Sequence, residues 1–504
     1  MMGGVPPQSL RSHNGTRARP APRTLELVSR LITALDDSAI SWCHWKSNEA
    51  IDRSATGDND LDLLIARGDA GRFTGVLATL GFRAARPPAD RQLPGIIDYY
   101  GLDEASGRTV HVHAHHQLVL GDDMTKNLRL PVEEAYLRST MQDGAFRLPS
   151  PEFEYLLFVL RMVVKHSTWD AQLDRKGRLT ASERRELAHL EERIDADLVH
   201  RLVERHLPFI GRRLFSACAR AAAERVGHLR RAVTATRLLH ALRAHSRRPE
   251  AIDMPLRMWR RRWRRIRSRL PGLASRKRLD NGGLVIAIVG GDGAGKSTAV
   301  DVLTAHLGRS FATGRFHMGK PPWSRVTRLI RRPLGRLRSL GMFRSTCLPA
   351  WHEFDGRFPG LVFVVWHVLT ARDRYLEYRR ARRVAARGGV AVCDRFPLPA
   401  IRLMDGPRST DLPGLRRRPV AQWLATRERS YYAHILPPDV LVVLRVAPDE
   451  AVMRRAGEDT DAVRRRVGEV YEFDWTGTGA VVVDASLPPE QVHAQITKVV
   501  WAAL

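Results

Sequence analysis

The hydrophobic positions near the start of the chain follow helical and strand periods in turn. Short apolar runs at 40–45 and 61–65 and an alternating stretch at 109–114 predict strands, because successive side chains of a strand point to opposite faces. Another helical pattern ends at Gly81, a residue type that favours the C-terminal end of a helix. Residues 24–150 are therefore predicted to form a small α/β domain. Its first helix is predicted from five apolar positions at helical spacing: Leu25, Val28, Leu31, Ile32 and Leu35.

The next stretch of the chain keeps a helical period without interruption. From residue 151 to about residue 250, apolar residues recur at spacings of three and four, which predicts helices throughout. No pattern of catalytic residues is visible in this stretch. We interpret 151–281 as a helical region that includes a basic amphipathic segment.

Two segments combine an apolar stripe with many basic residues. Residues 255–278 hold eleven Arg or Lys residues and no acidic residue, and residues 320–344 hold eight and none. Such helices can pack on the protein through the stripe, lie on an anionic membrane surface, or contact a nucleic-acid backbone. We expect packing on the protein or peripheral contact with an anionic membrane, and nucleic acid is the less favoured partner. The stripe of the first segment consists of Leu256, Trp259, Trp263, Ile266 and Leu270.

The last part of the chain alternates short apolar runs with helical patterns. Such an alternation predicts a parallel, doubly wound sheet with helices on both faces over residues 282–504. Ligands of such sheets bind at the carboxyl ends of the strands. The predicted strands are 284–289, 314–318, 390–394, 440–446 and 480–485.

Charge distinguishes this chain more than its hydrophobic content, which is 44%. A formal net charge of +28 favours acidic partners such as nucleotides, nucleic acid, anionic lipid or polyanionic glycans. Scattered arginines on solvated faces would account for part of this excess. The four cysteines lie far apart and form no C-x-x-C pair, so neither a zinc site nor a disulfide framework is predicted.

Residues 1–23 are rich in Pro, Gly, Arg and Ser and are predicted to be a disordered tail. They lack the apolar region of a signal peptide, and no apolar run reaches the roughly 20 residues of a membrane span. We therefore expect a cytoplasmic protein that can associate with a membrane surface.

Residues 290–298 form the most specific motif of the chain. They follow the apolar run 284–289 and match the Walker A pattern G-x-x-x-x-G-K-[ST]. In this pattern the glycines let backbone N–H groups approach phosphate oxygens, the lysine reaches the β- and γ-phosphates, and the serine hydroxyl can ligate Mg²⁺. The motif therefore predicts an ATP and Mg²⁺ site formed by Gly290, Gly291, Asp292, Gly293, Ala294, Gly295, Lys296, Ser297 and Thr298.

Charged residues after this motif favour phosphoryl transfer. Asp394 ends a predicted strand, where it can hold a metal-bound water or a substrate group, and Arg395 can bind a phosphate through two N–H groups. Arg454 and Arg455, with the arginines at 464–466, bracket a segment that could close over a transferring phosphoryl group.

Residues 283–504 resemble the thymidylate kinase family of P-loop nucleoside monophosphate kinases. The resemblance rests on the Walker loop, on the segments 371–374 and 392–396, and on the arginines from Arg454. It implies that the loop binds ATP and Mg²⁺, with Ser297 and Asp394 at the metal. It also implies the following roles: Lys296, Asp394 and Arg395 in catalysis with Arg454 and Arg455 as lid arginines, and Asp292, Arg374 and Arg395 at the acceptor.

Two positions depart from the family pattern. Phe396 stands where the family has Tyr. The position at which the family has an aromatic residue that stacks on thymine corresponds to the neighbourhood of Thr370 in this chain. The acceptor therefore stays open between a dTMP-like nucleoside monophosphate and a related small molecule.

A second constellation lies near the N-terminus. Asp60 and Asp62 are two residues apart on a predicted strand, so both carboxylates project from one face, as a two-metal nucleotidyl-transfer site requires. With Lys46 upstream, residues 25–150 resemble the nucleotidyltransferase superfamily. A third carboxylate is not evident, and His111 or His113 could replace it as a ligand.

The main hypothesis is an ATP-dependent kinase fused to a nucleotidyltransferase-like domain of undetermined activity. A second hypothesis is a regulatory ATPase that switches on an anionic membrane or nucleic-acid surface. A third is a nucleotidyltransferase that modifies nucleic acid. Asp394, Arg395 and the lid arginines favour the first.

Overall fold

The computed structural model describes residues 24–174, 177–269, 276–331, 358–399, 401 and 406–504. The predicted disordered tail 1–23, residues 270–275 of the first basic segment with Leu270 of its stripe, and residues 332–344 of the second lie outside these residues.

A mixed six-stranded sheet forms the core of the N-terminal part. Its strands run in the order β1-β2-β5-β4-β3-β10; the pair β2 and β5 is parallel and the other neighbours are antiparallel. The alternation at 109–114 is confirmed as part of β5, and the strand β4 next to it was not predicted. The bounds are β1 Trp42–His44, β2 Leu61–Ile65, β3 Arg83–Arg86, β4 Ile96–Asp103, β5 Arg108–His115 and β10 Arg278–Leu279.

Short elements complete this part. The predicted apolar face of the first helix is buried against the sheet. Two small hairpins, β6 with β7 and β8 with β9, follow the large sheet. The bounds are α1 Glu26–Asp37, α2 Ile51–Ala55, α3 Ala70–Thr79, α4 Glu133–Arg138, β6 Leu118–Leu120, β7 Leu128–Leu130, β8 Met141–Asp143 and β9 Phe146–Leu148.

Helices follow one another from Pro151 onward, as the helical period predicts. Ser150 caps the first of them by accepting a hydrogen bond from the Phe153 backbone N–H. The side chain of Trp45 from the N-terminal part belongs to the same apolar core as these helices, so the two parts share buried surface. The bounds are α5 Pro151–His166, α6 Trp169–Leu173, α7 Ala181–Glu191, α8 Ala196–His206, α9 Gly211–Ala222, α10 His228–Ala241 and α11 Glu250–Arg269.

The C-terminal part is a five-stranded parallel sheet in the order β12-β13-β11-β14-β15. Apolar side chains of β11 alternate between two cores, one shared with α12 and α17 and one with α13, so helices cover both faces. The prediction of an α/β protein with a parallel sheet is thereby confirmed. The bounds are β11 Leu284–Gly290, β12 Thr313–His317, β13 Val390–Asp394, β14 Val440–Arg445, β15 Ala480–Asp484, α12 Lys296–Ser310, α13 Leu361–Ala385, α14 Pro419–Ala433, α15 Pro448–Arg454, α16 Thr460–Glu472 and α17 Pro489–Ala503.

Helix α11 buries arginines of its basic face and exposes tryptophans of its apolar stripe, the reverse of what simple amphipathic packing predicts. Its arginines Arg257 and Arg261 are buried, 4% and 3% exposed, whereas Trp259 and Trp263 are 58% and 44% exposed. The expected packing through the apolar stripe is therefore wrong for the described part of this helix. Buried carboxylates, Asp253 of the same helix and Asp122 and Asp170 from outside it, explain the reversal, because a buried guanidinium needs charged partners.

Those carboxylates form a connected network. Arg257 contacts Asp170 at 2.9 Å and Asp253 at 2.5 Å, and Arg261 contacts Asp122 at 2.6 Å. All three carboxylates are at most 5% exposed. The network fixes the helix by charge rather than by hydrophobic contact.

Among the described residues, no helix is long and apolar enough to cross a lipid bilayer.

The substitution Arg257→Met tests this network. It removes the arginine that contacts the buried carboxylate of Asp253 and one of the two arginines that contact Asp170, so the free energy of unfolding is expected to fall by about 3–5 kcal/mol. Urea unfolding followed by circular dichroism measures the change. Arg262→Met is the matched control, because Arg262 is exposed on the same helix and is expected to change stability by roughly 0.5 kcal/mol or less. Equal effects of the two substitutions would contradict the structural role of the network.

Candidate functional site

The glycine-rich loop, residues 290–297, begins where β11 ends at the centre of the parallel sheet. Strand β11 pairs with β13 on one side and with β14 on the other. Ligands of doubly wound sheets bind at the carboxyl ends of such central strands. Gly290 has φ 156°, and a Cβ there would lie 2.5 Å from the backbone oxygen of Leu444. A Cβ on Gly291 would lie 2.9 Å from a methyl group of Val467. The backbone therefore packs so closely that only glycine fits at these two positions.

Lys296 and Ser297 open helix α12 directly after the loop. Lys296 is 5% exposed, and its ammonium group donates to the Gly291 backbone oxygen at 2.6 Å. The Ser297 hydroxyl donates to Asp394 Oδ2 at 2.9 Å. The structure thus joins the start of α12 to the end of β13, which are 97 positions apart in the sequence.

The donor atoms beside the loop fit a magnesium ion. Asp394 is fully buried, and its second oxygen, Oδ1, has no hydrogen-bond partner among the described residues. Hydroxyl and carboxylate oxygens are the ligands that Mg²⁺ prefers. Ser297 and Asp394 are therefore the residues that would hold such an ion.

Asp292 in the loop gathers basic side chains from two later elements. Its carboxylate lies 2.8 Å from Arg466 of α16 and 3.5 Å from Arg395. Arg395 has φ 54°, a left-handed conformation that is uncommon for a residue with a side chain. This sharp turn follows β13 directly, so the guanidinium of Arg395 is brought to the loop.

The predicted lid arginines differ in position. Arg454 donates to the Gly293 backbone oxygen at 3.3 Å and to the Ala485 backbone oxygen at 3.0 Å, so it contacts the loop. Arg455 instead pairs with Glu458 at 2.9 Å on the protein surface.

Arg374 forms hydrogen bonds with the backbone of the segment that follows β12. It donates to the Met318 backbone oxygen at 2.9 Å and to that of Gly319 at 3.0 Å. Arg374 is 7% exposed, and its guanidinium also contacts the Tyr432 hydroxyl. These contacts position the segment after β12, whereas the resemblance implied contact with an acceptor base.

A pocket with aromatic walls lies beside Lys296. It is narrow in this structure and is lined among others by Arg395, Phe396 and Trp475. Thr370, near the position predicted for a stacking ring, lies in a different environment, since its hydroxyl accepts a hydrogen bond from Arg331 at 3.0 Å. Aromatic surface at the loop is thus supplied by Phe396, which the sequence marked only as a departure from the family pattern, and by Trp475, which it did not single out.

A row of imidazoles and carboxylates crosses the N-terminal sheet. Strand β5 carries His111, and its two ring nitrogens lie 2.7 Å from Asp60 and 2.8 Å from Asp98. Lys277, just before β10, approaches Asp98 at 2.8 Å. Burial opposes ionisation of Asp98, but the hydrogen bond from His111 and the charge of Lys277 outweigh it and lower the pKa of Asp98 to about 2.

A second group lies on the same face at Asp62. Lys46 approaches Asp62 Oδ1 at 2.9 Å, and His113 Nδ1 lies 3.0 Å from the same oxygen. His115 is fully buried, with Nε2 3.2 Å from His113 Nδ1. Burial opposes the charge on Asp62, but Lys46 and His113 outweigh it and hold the pKa of Asp62 well below its ordinary value. Burial, with His113 and Lys46, holds the pKa of His115 well below its ordinary value.

Several residues of these sites escaped the sequence prediction. Asp98 is a further carboxylate in contact with His111 on the same sheet, but it lies on the unpredicted strand β4. His115 continues the alternation of His111 and His113, so the period of β5 could have revealed it. Trp475 offers no local signal, because its place in the pocket depends on the fold.

Similarity to known proteins covers one segment of the chain. No family model matches the chain. Over 226 residues it is 26% identical to the "Uncharacterized ATP-binding protein YghR" of Escherichia coli (strain K12). The aligned region covers 43% of this chain and 86% of that protein. Over 237 residues it is 25% identical to the "Uncharacterized ATP-binding protein YghS" of the same strain, which covers 44% of this chain and 93% of that protein. The chain is therefore similar, over less than half its length, to proteins named for binding ATP.

Proposed function

We propose that the C-terminal part binds ATP with Mg²⁺ at the glycine-rich loop and transfers the γ-phosphoryl group to a small acceptor. The names of the two E. coli relatives support ATP as the ligand. The loop supports it independently, because it ends in a helix N-terminus that favours anionic phosphates.

One contact carries the proposal of phosphoryl transfer. The hydrogen bond of 2.9 Å between Ser297 and Asp394 places a buried carboxylate at the start of the loop helix. Ser297 and Asp394 would hold a Mg²⁺ ion there, and the chemistry that such an ion would supply is neutralisation of the charge that develops during transfer. Because Arg395 follows Asp394 directly, a cation suited to an acceptor phosphate lies beside the same metal ligand.

The acceptor is proposed from the lining of the adjacent pocket. Phe396 and Trp475 offer apolar ring surface, and Arg395 offers a guanidinium at the same cavity. This combination suits a small phosphorylated molecule with a flat or apolar body, such as a nucleoside monophosphate. A dTMP-like acceptor is therefore the first to test.

The arginines around Asp292 suggest how the site could respond to ATP. Arg466 and Arg395 are paired with the loop carboxylate in the structure. Phosphate oxygens entering the loop would compete for the same guanidinium groups. We propose that these arginines shift from Asp292 to the phosphates during transfer, where they would stabilise the spreading negative charge.

The kinase proposal predicts a labelled acceptor. Purified full-length protein is incubated with Mg²⁺, γ-³²P-ATP and a panel of nucleoside monophosphates and other small phosphorylated or hydroxylated molecules, and products are separated by chromatography. We expect one acceptor class to become labelled. Lys296→Ala and Asp394→Asn are each expected to reduce the rate by about 10²-fold or more, because each removes a group that stabilises transferring phosphate.

Lys498→Ala is the matched control for this assay, since Lys498 is exposed and pairs with Glu104 on the surface. It is expected to retain the wild-type rate. Release of phosphate without any labelled acceptor, stimulated by anionic vesicles or DNA, would instead support a regulatory ATPase. No effect of Lys296→Ala on any ATP-dependent reaction would exclude the glycine-rich loop as the site.

For the N-terminal part we propose a nucleotidyltransferase-like role in binding or transferring a nucleotide. A cleft lined by Ser47, Asp60 and Asp62 supports it. Transfer of label from α-³²P nucleoside triphosphates, abolished by Asp60→Ala, is the expected result for an active domain. Wild-type transfer by Asp60→Ala would contradict this assignment.

We also propose that helix α11 makes a peripheral contact with an anionic membrane. The exposed rings of Trp259 and Trp263 are stacked with centroids 6.2 Å apart, and exposed arginines flank them on the same helix. Tryptophan with basic residues suits the interface of an anionic bilayer.

The membrane proposal predicts binding of the full-length protein to vesicles that contain phosphatidylserine. Replacing both Trp259 and Trp263 with Ala is expected to weaken binding by about tenfold or more, because two large apolar side chains no longer enter the interface. Cosedimentation measures the affinity. Trp423→Ala, at a ring that is 58% exposed in the C-terminal part, should bind like wild type. Equal binding by all three proteins would exclude α11 as the contact.

A further inference from the structure

Three potential metal ligands converge on the N-terminal sheet at the boundary of β2 and β5. The parallel register places Asp62 directly beside His113, and His115 follows two positions later on the same face of β5. Asp62, His113 and His115 each offer one ligand atom, and these atoms all lie within 4.8 Å of one another.

Hydrogen bonds alone do not satisfy this triangle. His113 Nδ1 lies 3.0 Å from Asp62 Oδ1 and 3.2 Å from His115 Nε2. A proton on His113 Nδ1 can form a hydrogen bond either with Asp62 Oδ1 or with His115 Nε2. Whichever of these two contacts it forms, the other contact has no hydrogen from His113. The remaining nitrogen of His115, Nδ1, is buried without a hydrogen-bond partner among the described residues. A cation at the centre would instead meet a lone pair from all three residues.

The size of the triangle fits a metal ion. Its third edge, from Asp62 Oδ1 to His115 Nε2, is 3.9 Å, so the edges are 3.0, 3.2 and 3.9 Å. A tetrahedral ion with bonds of roughly 2.0–2.2 Å separates its ligand atoms by about 3.4 Å, which lies within this range. Small rotations of the side chains are therefore sufficient for simultaneous ligation.

The chemistry of the donors selects the class of metal. Two imidazoles with one carboxylate suit zinc and neighbouring first-row divalent metals, whereas Mg²⁺ prefers a full set of oxygens. The cleft beside Asp62 is also lined by His44, Ser47 and Asp60, so the fourth position would face an accessible space. A metal site with three protein ligands and an open position has the form of a catalytic rather than a purely structural site.

We propose that Asp62, His113 and His115 together bind one divalent transition-metal ion of the zinc class. Lys46 is its competitor: the ammonium group lies 2.9 Å from Asp62 Oδ1, the same oxygen that would ligate the metal. Metal binding displaces this ammonium group and thereby couples the ion to the segment between β1 and α2. The proposal is independent of phosphoryl transfer at the glycine-rich loop.

Zinc binding to the full-length protein tests the site. Protein stripped with a chelator is titrated with Zn²⁺ against a chromophoric zinc chelator, and bound metal is counted by mass spectrometry after gel filtration. We expect one tight Zn²⁺ per chain that millimolar Mg²⁺ does not displace. His113→Gln and His115→Gln are each expected to weaken binding by about 10²-fold or more, with the fold checked by circular dichroism.

His111→Gln is the matched control, because His111 lies on the same face of β5 but pairs with Asp60 and Asp98 outside the triangle. It should bind Zn²⁺ as wild type does. Co²⁺ in place of zinc should give the strong visible absorption of a tetrahedral site in wild type and His111→Gln, and lose it in His113→Gln.

Lys46→Met separates a metal site from a simple ion-pair cluster. Removing the competing ammonium group is expected to tighten Zn²⁺ binding by about tenfold, whereas a cluster that binds no metal gains no affinity. Absence of a tight zinc ion in wild type would overturn the proposal. Equal affinities of His111→Gln, His113→Gln and His115→Gln would overturn it as well. Because Lys296→Ala leaves this triangle untouched, failure of the kinase proposal and failure of the metal site are distinguishable.

Discussion

The parallel pairing of β11 with β13 is the constraint on which the C-terminal site depends. Its register sets Ile288 opposite Asp394, so the strand that leads into the glycine-rich loop and the strand that carries the carboxylate end at the same edge. Both strands are buried on both faces, and a shift in register would move apolar side chains out of two cores at once. The contact between Ser297 and Asp394, the arginines around Asp292 and the adjacent pocket all follow from this pairing.

Charge has a structural role in this protein as well as a role at its surface. The net charge of +28 suggests a wide basic surface, yet part of it is buried in α11 and neutralised by carboxylates from other elements. The cost of burying these guanidinium groups is offset by several short ion pairs. The consequence is that the aromatic residues of the same helix face outward. Helix α11, whose sequence predicts packing on the protein through its apolar stripe, is therefore a candidate surface for contact with a partner.

The two candidate sites share a principle of construction. In each, adjacent strands bring polar side chains together at one edge or on one face of a sheet, and distant basic residues complete the group. Arg466 reaches the loop carboxylate Asp292, and Lys277 reaches Asp98 of the N-terminal sheet. Lys277 also lies next to β10, which pairs with β3, so the chain entering the C-terminal part is tied to the N-terminal sheet. Lys277 thus belongs both to the group around Asp98 and to the segment that ties the two halves together.

The sequence by itself determined the parts that depend on local pattern. The alternation of strand-like runs with helical patterns predicted the five strands of the parallel sheet, and the glycine motif predicted where the loop lies, because buried strands and tight turns restrict residue types locally. Strand β4 was missed although it is rich in Ile and Tyr, and the place of its Asp98 was missed because the burial of this carboxylate depends on Lys277 from far along the chain. The orientation of α11 was decided in the same way by Asp122 and Asp170, which are distant in sequence. Only the tertiary structure supplies such partners, because the burial of a charge depends on which opposite charges the fold brings to it.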